Sequence, residues 1–199
     1  MPRTTEQFDQ MREESRERIL DGALRLFARH GYSTTSVRMI AEEVGISQGL
    51  LYNYYDGKQA LLRAIFERSM RDVNASFARA ARAATPRKAI EELVRSAFEI
   101  VRDHREFWQL SYQLRMQSQV LTGLAPESRL SSDEIRAQIE RLLRSAGVDD
   151  AAVEARVLFA AIDGAAQHYV LDPKRYPLDD VAAAIVRRFE HVEIGRAHV

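Results

Sequence analysis

The 199-residue sequence has no cysteine, which excludes a disulfide framework, thiolate catalysis and thiol-based redox sensing. It has no apolar run approaching the ~20 residues needed to cross a bilayer as a helix, and no signal-peptide pattern precedes the first amphipathic segment. A cytoplasmic protein with no membrane partner is therefore expected. Strand-type alternation is almost missing, so the expected fold class is all-α. Charge of either sign is not in excess. Lysine plus arginine equals aspartate plus glutamate at 29 each, and the first 63 residues carry nine of each. A protein that held polyanions by its overall field would be basic, so any nucleic-acid contact must rest on a few placed groups. The signatures of catalysis are missing too. No glycine-rich loop follows a strand, and Ser111 and His104 share one helical region without an acid partner. Neither His104 nor His168 has a second ligand at metal spacing. No enzyme, metal or cofactor is expected.

What is present is concentrated between Thr34 and Leu62, TTSVRMIAEEVGISQGLLYNYYDGKQALL. Val37, Ile40, Ala41 and Val44 recur at spacings of three and four, one buried stripe on a short helix capped by Thr35 or Ser36. Gly45 supplies the left-handed conformation that stops it, Ile46 plugs the corner, and Ser47 is placed to cap a second helix from Gln48. Two helices joined by such a turn form a helix-turn-helix, whose second helix enters the major groove. Gln48 suits an adenine edge, Gly49 permits close backbone approach, and Leu50 suits a thymine methyl. Tyr52, Tyr54 and Lys58 are natural phosphate donors, whereas Tyr55 sits where an apolar anchor is needed.

Upstream, Arg16 to Arg29 places Ile19, Ala23, Leu24, Phe27 and Ala28 on one face, a helix that completes a three-helix unit over residues 13–58. Residues 1–12 lack an apolar period and are expected to be a flexible arm. Downstream, the periodicity predicts helices at Gln59 to Ala84, Pro86 to Arg102, from Arg105 onward, Glu134 to Ser145, Asp150 to Val170 and Leu178 to about Val192. A Gly-, Pro- and Ser-containing loop is expected over Thr122 to Ser132. That makes about nine helices, with 59–192 forming a larger second domain.

The run from Gly31 to Leu61 fits G-Y-x-x-T-[ST]-x-x-x-I-A-x-x-x-G-[IV]-S-x-G-x-[LI]-Y-x-Y-[FY]-x-x-K-x-x-L, and so resembles the amino-terminal domain of the TetR family of bacterial transcriptional regulators. The resemblance implies that Thr35 and Ser36 lie near phosphate, that Arg38 and Gln48 reach base edges with Asn53 beside them, and that Tyr52, Tyr54 and Lys58 clamp the backbone of double-stranded DNA. The sequence departs from the family at Gly57, where many members carry Ser or Pro. Acidic residues such as Glu42 and Glu43 are expected to face away from DNA. The family also implies a homodimer on a palindromic operator, closed by the last two helices. Leu158, Ala161, Ala165, Val181, Ala184, Ile185 and Arg188 are the residues of matching type, against the plainer reading of an intrachain core.

The family further implies a small-molecule effector held in the second domain. The aromatic concentration between Phe98 and Met116 marks where an apolar cleft would lie, with Phe98, Phe107, Trp108, Tyr112, Gln113, Met116, His168 and Tyr169 as candidates, although aromatics at this spacing also serve as plain core. The functional expectation is a ligand-responsive repressor released by a small apolar or aromatic effector, the alternative being an activator or a ligand-independent regulator of the same fold. A helical scaffold accounts for the second domain but not for the DNA-reading motif. The last seven residues, EIGRAHV, resemble a translated sequencing adapter, so 193–199 are expected to be a non-native tail.

Overall fold

The computed structural model describes residues 5–116 and 118–189, excluding the side chains of 5, 86, 116 and 118–131. The described residues form nine helices: α1 Thr5–His30, α2 Val37–Val44, α3 Gln48–Tyr52, α4 Gly57–Ala80, α5 Pro86–Asp103, α6 Arg105–Met116, α7 Ser118–Ser145, α8 Ala151–Leu171 and α9 Leu178–Phe189. None is long and apolar enough to cross a membrane. Helix ends follow local chemistry. Gly45 (φ +70°) closes α2 with its own N–H and that of Ile46 on the last-turn carbonyls, and Thr85 caps α5 ahead of Pro86 in the first turn. Pro86 is suited there, where no helical N–H is needed.

Two segments are helical where the sequence suggested otherwise, each for its own reason. Residues 5–12 are helical, continuing α1 toward solvent, with Phe8 and Met11 exposed. Adding turns to an existing helix costs little once it is nucleated, and Gln10 and Ser15 add hydrogen bonds along it, so no buried stripe is required. The loop expected over Thr122 to Ser132 lies inside α7. An interior proline costs about 3 kcal/mol. The carboxy-terminal half of α7 packs on α8 and α4, placing Ile139 and Leu143 in the core, and this tertiary packing overrides the local punctuation. The tail at 193–199 lies outside the described residues.

Two hydrophobic cores share the chain. The first gathers Ile19, Leu20, Ala23, Leu24 and Phe27 of α1, Ile40 and Ala41 of α2, Leu51 of α3, and Tyr55. It also takes Leu61, Leu62, Ile65 and Phe66 from α4 and Phe107, Leu110 and Leu114 from α6. It therefore reaches past residue 58, where the sequence suggested a boundary. The second core is built by the remainder of α4, by α5, α7, α8 and α9 and by Tyr112 of α6, and Trp108 packs against both. Polar groups reinforce the junction: Arg68 of α4 bridges Glu17 and Asp21 of α1, each at 2.8 Å.

Candidate nucleic-acid interface and effector cavity

The turn between α2 and α3 is held from within by short-range hydrogen bonds. Ser36 Oγ accepts from the Met39 N–H and Ser47 Oγ from the Leu50 N–H, each at 3.1 Å. Ile40, Ala41 and Leu51 are buried beneath, while Gln48, Gly49, Leu50, Tyr52 and Asn53 are exposed together along α3 and its end. Tyr54 is half-buried. Tyr55 is buried under the Arg16 guanidinium, 4.8 Å from the ring centroid. Arg38 stands exposed on α2, so the turn presents a compact polar face whose scaffold points inward.

Three residues have partners within the chain that their spacing did not reveal. Thr35 was expected at phosphate but is 1% exposed, with its hydroxyl donating to the Gly31 carbonyl at 2.8 Å and the Leu26 carbonyl at 3.3 Å. It fastens the turn after α1 to the last full turn of that helix. Glu42, expected to face away from DNA, pairs with Arg38 at 2.8 Å across one turn, while Glu43 pairs with Arg25 of α1. Lys58 donates to the Tyr32 carbonyl at 2.7 Å and the Ser33 carbonyl at 3.3 Å and lies 4.6 Å over the Tyr32 ring. Partial burial holds its ammonium below the ordinary lysine range. The nearby Gly57 has φ +78°, a left-handed entry to α4 that a Ser or Pro would strain, so the departure from the family pattern fits this geometry.

Between α4, α5, α6, α7 and α8 lies an apolar cavity of about 80 Å³. Phe66, Met70, Phe107, Trp108, Tyr112, Ile139, Phe159 and Ile162 line it. Of the sequence candidates it brings together Phe107, Trp108 and Tyr112. The others fall elsewhere for reasons of helical register. Phe98 faces the second core but not the cavity, and Gln113 turns to α1, donating to the Ala28 carbonyl at 3.2 Å. His168 is exposed and stacks on Tyr176, and Tyr169 packs on the core away from the cavity. The Met116 side chain lies outside the described residues.

Sequence reasoning missed Arg115 and Asp163, which form a two-pronged ion pair at 3.0 and 2.9 Å on the cavity wall. The Arg115 guanidinium lies 4.6 Å over the Tyr112 ring, whose hydroxyl donates to the Asp163 carbonyl at 3.3 Å. Burial, followed by the Asp163 charge, pushes the Tyr112 phenol well above its ordinary value. Nothing local signals this pair, because its partners are 48 residues apart in sequence. Trp108 Nε1 is buried and donates to no described atom.

On the far side, α8 is apolar nearly all round, and the residues expected at a partner surface divide between the core and solvent. Leu158 and Ala165, with Ile185 of α9, are buried within their own chain, and Ala161 and Val181 pack against the same core. Ala184 is half-buried and Arg188 exposed. The open side instead carries Val153, Val157 and Leu171, exposed by 56%, 51% and 74%. Gly164 lies on it, where an added Cβ would meet no atom within 4 Å.

Comparison with known proteins places these features. Residues 19–65 match the family described as bacterial regulatory proteins, tetR family, and residues 86–192 match that of the BetI-type transcriptional repressor, C-terminal. The chain is 32% identical over 101 residues to the HTH-type transcriptional regulator YerO of Bacillus subtilis, covering 47% of this chain and 34% of that protein. It is 29% identical over 163 residues to YuxN of the same organism, covering 79% of this chain and 54% of that protein. It thus spans about a third and about half of these relatives' lengths. Its fold is similar to that of the regulator FadR from Bacillus subtilis, solved in complex with stearoyl-CoA, with a TM-score of 0.72 at 17% identity over 90% of this chain and 99% of that one. The helix-turn-helix, the all-helical second region and the match over more than half of the chain agree: this protein is a transcriptional regulator belonging to the TetR family.

Proposed function

We propose that the chain acts in the cytoplasm as a homodimeric repressor that binds a palindromic operator and is released by a small apolar or aromatic effector held in the cavity. The observation that carries this reading is the position of the cavity at the seam of the two cores. Phe66 of α4 contacts Phe107 of α6 edge-on at 5.1 Å, and Phe107 in turn contacts Trp108 at 5.2 Å. Phe66 and Phe107 are buried in the DNA-binding core and still line the cavity. At about 80 Å³ the cavity is smaller than the ~150 Å³ that accommodates benzene. A ligand must therefore part α4, α6 and α8 to enter, and whatever parts α4 tilts the helix-turn-helix mounted on it.

Gln48, Gly49, Leu50, Asn53 and Arg38 are the proposed base readers, with Ser36, Ser47, Tyr52, Tyr54 and Lys58 at phosphate. Two-fold symmetry spaces two such readers one DNA turn, about 34 to 36 Å, apart. The exposed α8 stripe of Val153, Val157 and Gly164, continued by Ala184 and Arg188 of α9, is the surface that supports dimerisation. The FadR complex lends support to an effector in this fold. A ligand preferring the tilted state weakens operator binding by its differential affinity, typically ~1 to 3 kcal/mol. The test is a fluorescence-anisotropy titration against DNA flanking the chain's own gene. Wild type should bind as a dimer, and Phe66→Trp should bind DNA while losing its response to ligand. A monomeric species binding the same DNA with full affinity would refute the proposal.

A further inference from the structure

Tyr112 is shared by two spaces. On one side it closes the apolar cavity; on the other it lines an open cleft of about 510 Å³ with Arg105, Gln109, Gln113, Gln167 and the apolar Val170 and Leu171. The two spaces differ in chemistry. The charges of the cavity, Arg115 and Asp163, satisfy each other. The cleft instead offers three side-chain amides and the Arg105 guanidinium, which makes no ion pair among the described residues. Gln113 Oε1 is buried and accepts no hydrogen bond from a described atom. Gln109 and Gln113 both donate through Nε2 to the Ala28 carbonyl, at 3.3 and 3.2 Å. Ala28 lies in the last turn of α1, where carbonyls have no partner within the helix, so these amides fasten the DNA-binding unit to α6.

We infer that this cleft is the outer half of the effector site, and that it selects an amphipathic effector with an apolar body behind Tyr112 and a carboxylate or equivalent anionic head on Arg105. This rests on the reading of the inner cavity as the effector site. An anionic head gains charge-assisted hydrogen bonds from Arg105, whereas a charged group driven into the cavity would have to break the Arg115–Asp163 pair. The head also competes with Ala28 for the Gln109 and Gln113 amides. Binding therefore loosens the fastening of α1 at the same time as the apolar body parts α4 from α6.

Octanoate and 1-octanol share one chain and differ in the head, and Trp108 is the only tryptophan of the sequence, so its fluorescence reports entry into the cavity. Both should perturb it, octanoate binding about tenfold more tightly, the order expected of hydrogen bonds to a charged group. Arg105→Gln should bring octanoate to the affinity of octanol while leaving octanol and the thermal midpoint unchanged. Octanoate should also weaken binding to DNA flanking the gene more than octanol does. Equal affinities, an octanoate affinity indifferent to Arg105→Gln, or no fluorescence response to either probe would overturn the assignment. Release of DNA by octanol but not octanoate would overturn it while leaving the repressor reading intact. The expected fluorescence pattern with DNA affinity unmoved would uphold the cleft and sink the release mechanism instead.

Discussion

The DNA-reading end and the cavity end use polar residues in opposite ways. At the helix-turn-helix the defining hydrogen bonds are local: Ser36 to Met39 and Ser47 to Leu50, each three residues apart. At the cavity end, including the cleft beside it, they join distant segments, with Arg115 on Asp163 across 48 residues and Gln113 on Ala28 across 85. Local bonds fix the shape of a small, rigid reader. Long-range bonds between helices hold two parts in one relative position, and they are the bonds a ligand can exchange. The first kind specifies a surface, the second a state.

The largest test of this contrast is α6, which belongs by position to the cavity end yet sends fully buried Leu110 into the DNA-binding core. Leu110→Ala should cost about 2 to 5 kcal/mol in a single cooperative denaturation monitored by circular dichroism. Its DNA affinity should fall as well, although the residue is remote from DNA. Two separated transitions, with only the second region destabilised, would show that the cores are independent.

Asp163→Ala comes next. It strands Arg115, but both side chains keep about a quarter of their surface in solvent, so water takes over part of the lost interaction. The expected loss is ~1 to 2 kcal/mol, read by urea denaturation. Ligand response should change more than DNA affinity does, since the bond sets the position of α6 against α8. An unchanged ligand response would remove the pair from the switch.

Ser47→Ala tests the local kind of bond. Loss of the cap should cost about 1 kcal/mol, and α3 has only five residues with which to absorb it. DNA affinity should fall with that loss while ligand response stays as in wild type. Ser47→Asp should restore the stability, because a carboxylate also caps and favours a helix amino terminus, but not the DNA affinity, because its charge would face phosphate.

The same division explains what was legible in the sequence. Caps, the Gly45 turn, the stripe of Ile40, Ala41 and Val44 and the anchor Tyr55 are decided within a few residues, and they stand where periodicity put them. The number of helices among the described residues was legible for the same reason, but not the first turns of α1 or the amino-terminal half of α7. Thr35 was not, because its partners at Gly31 and Leu26 depend on how α1 ends beneath α2. In the second region composition pointed to Phe107, Trp108 and Tyr112, but which face of α8 meets the core depends on helix offsets that a helix apolar on every side does not encode. Leu158 and Val157 are adjacent in sequence, and only packing makes one core and the other surface. Arg115 with Asp163, and Gln113 with Ala28, required the third dimension altogether.

The smallest effect in stability falls on Lys58, where the contrast is least clean. Its bonds to the Tyr32 and Ser33 carbonyls are long-range in sequence, so it acts in the reader as Gln113 does at the cavity, yet it is also the proposed phosphate contact. Lys58→Gln separates the two roles, because an amide still donates to a carbonyl but carries no charge to exchange for counterions. Stability should change by less than about 1 kcal/mol, the net worth of one such hydrogen bond. If the ammonium meets phosphate in the complex, the slope of log affinity against log salt should become shallower by about one for each Lys58 engaged. An unchanged slope together with a lowered thermal midpoint would make Lys58 a fastener between the α1–α2 turn and α4, and would leave phosphate contact to Tyr52, Tyr54 and the capped amino terminus of α2.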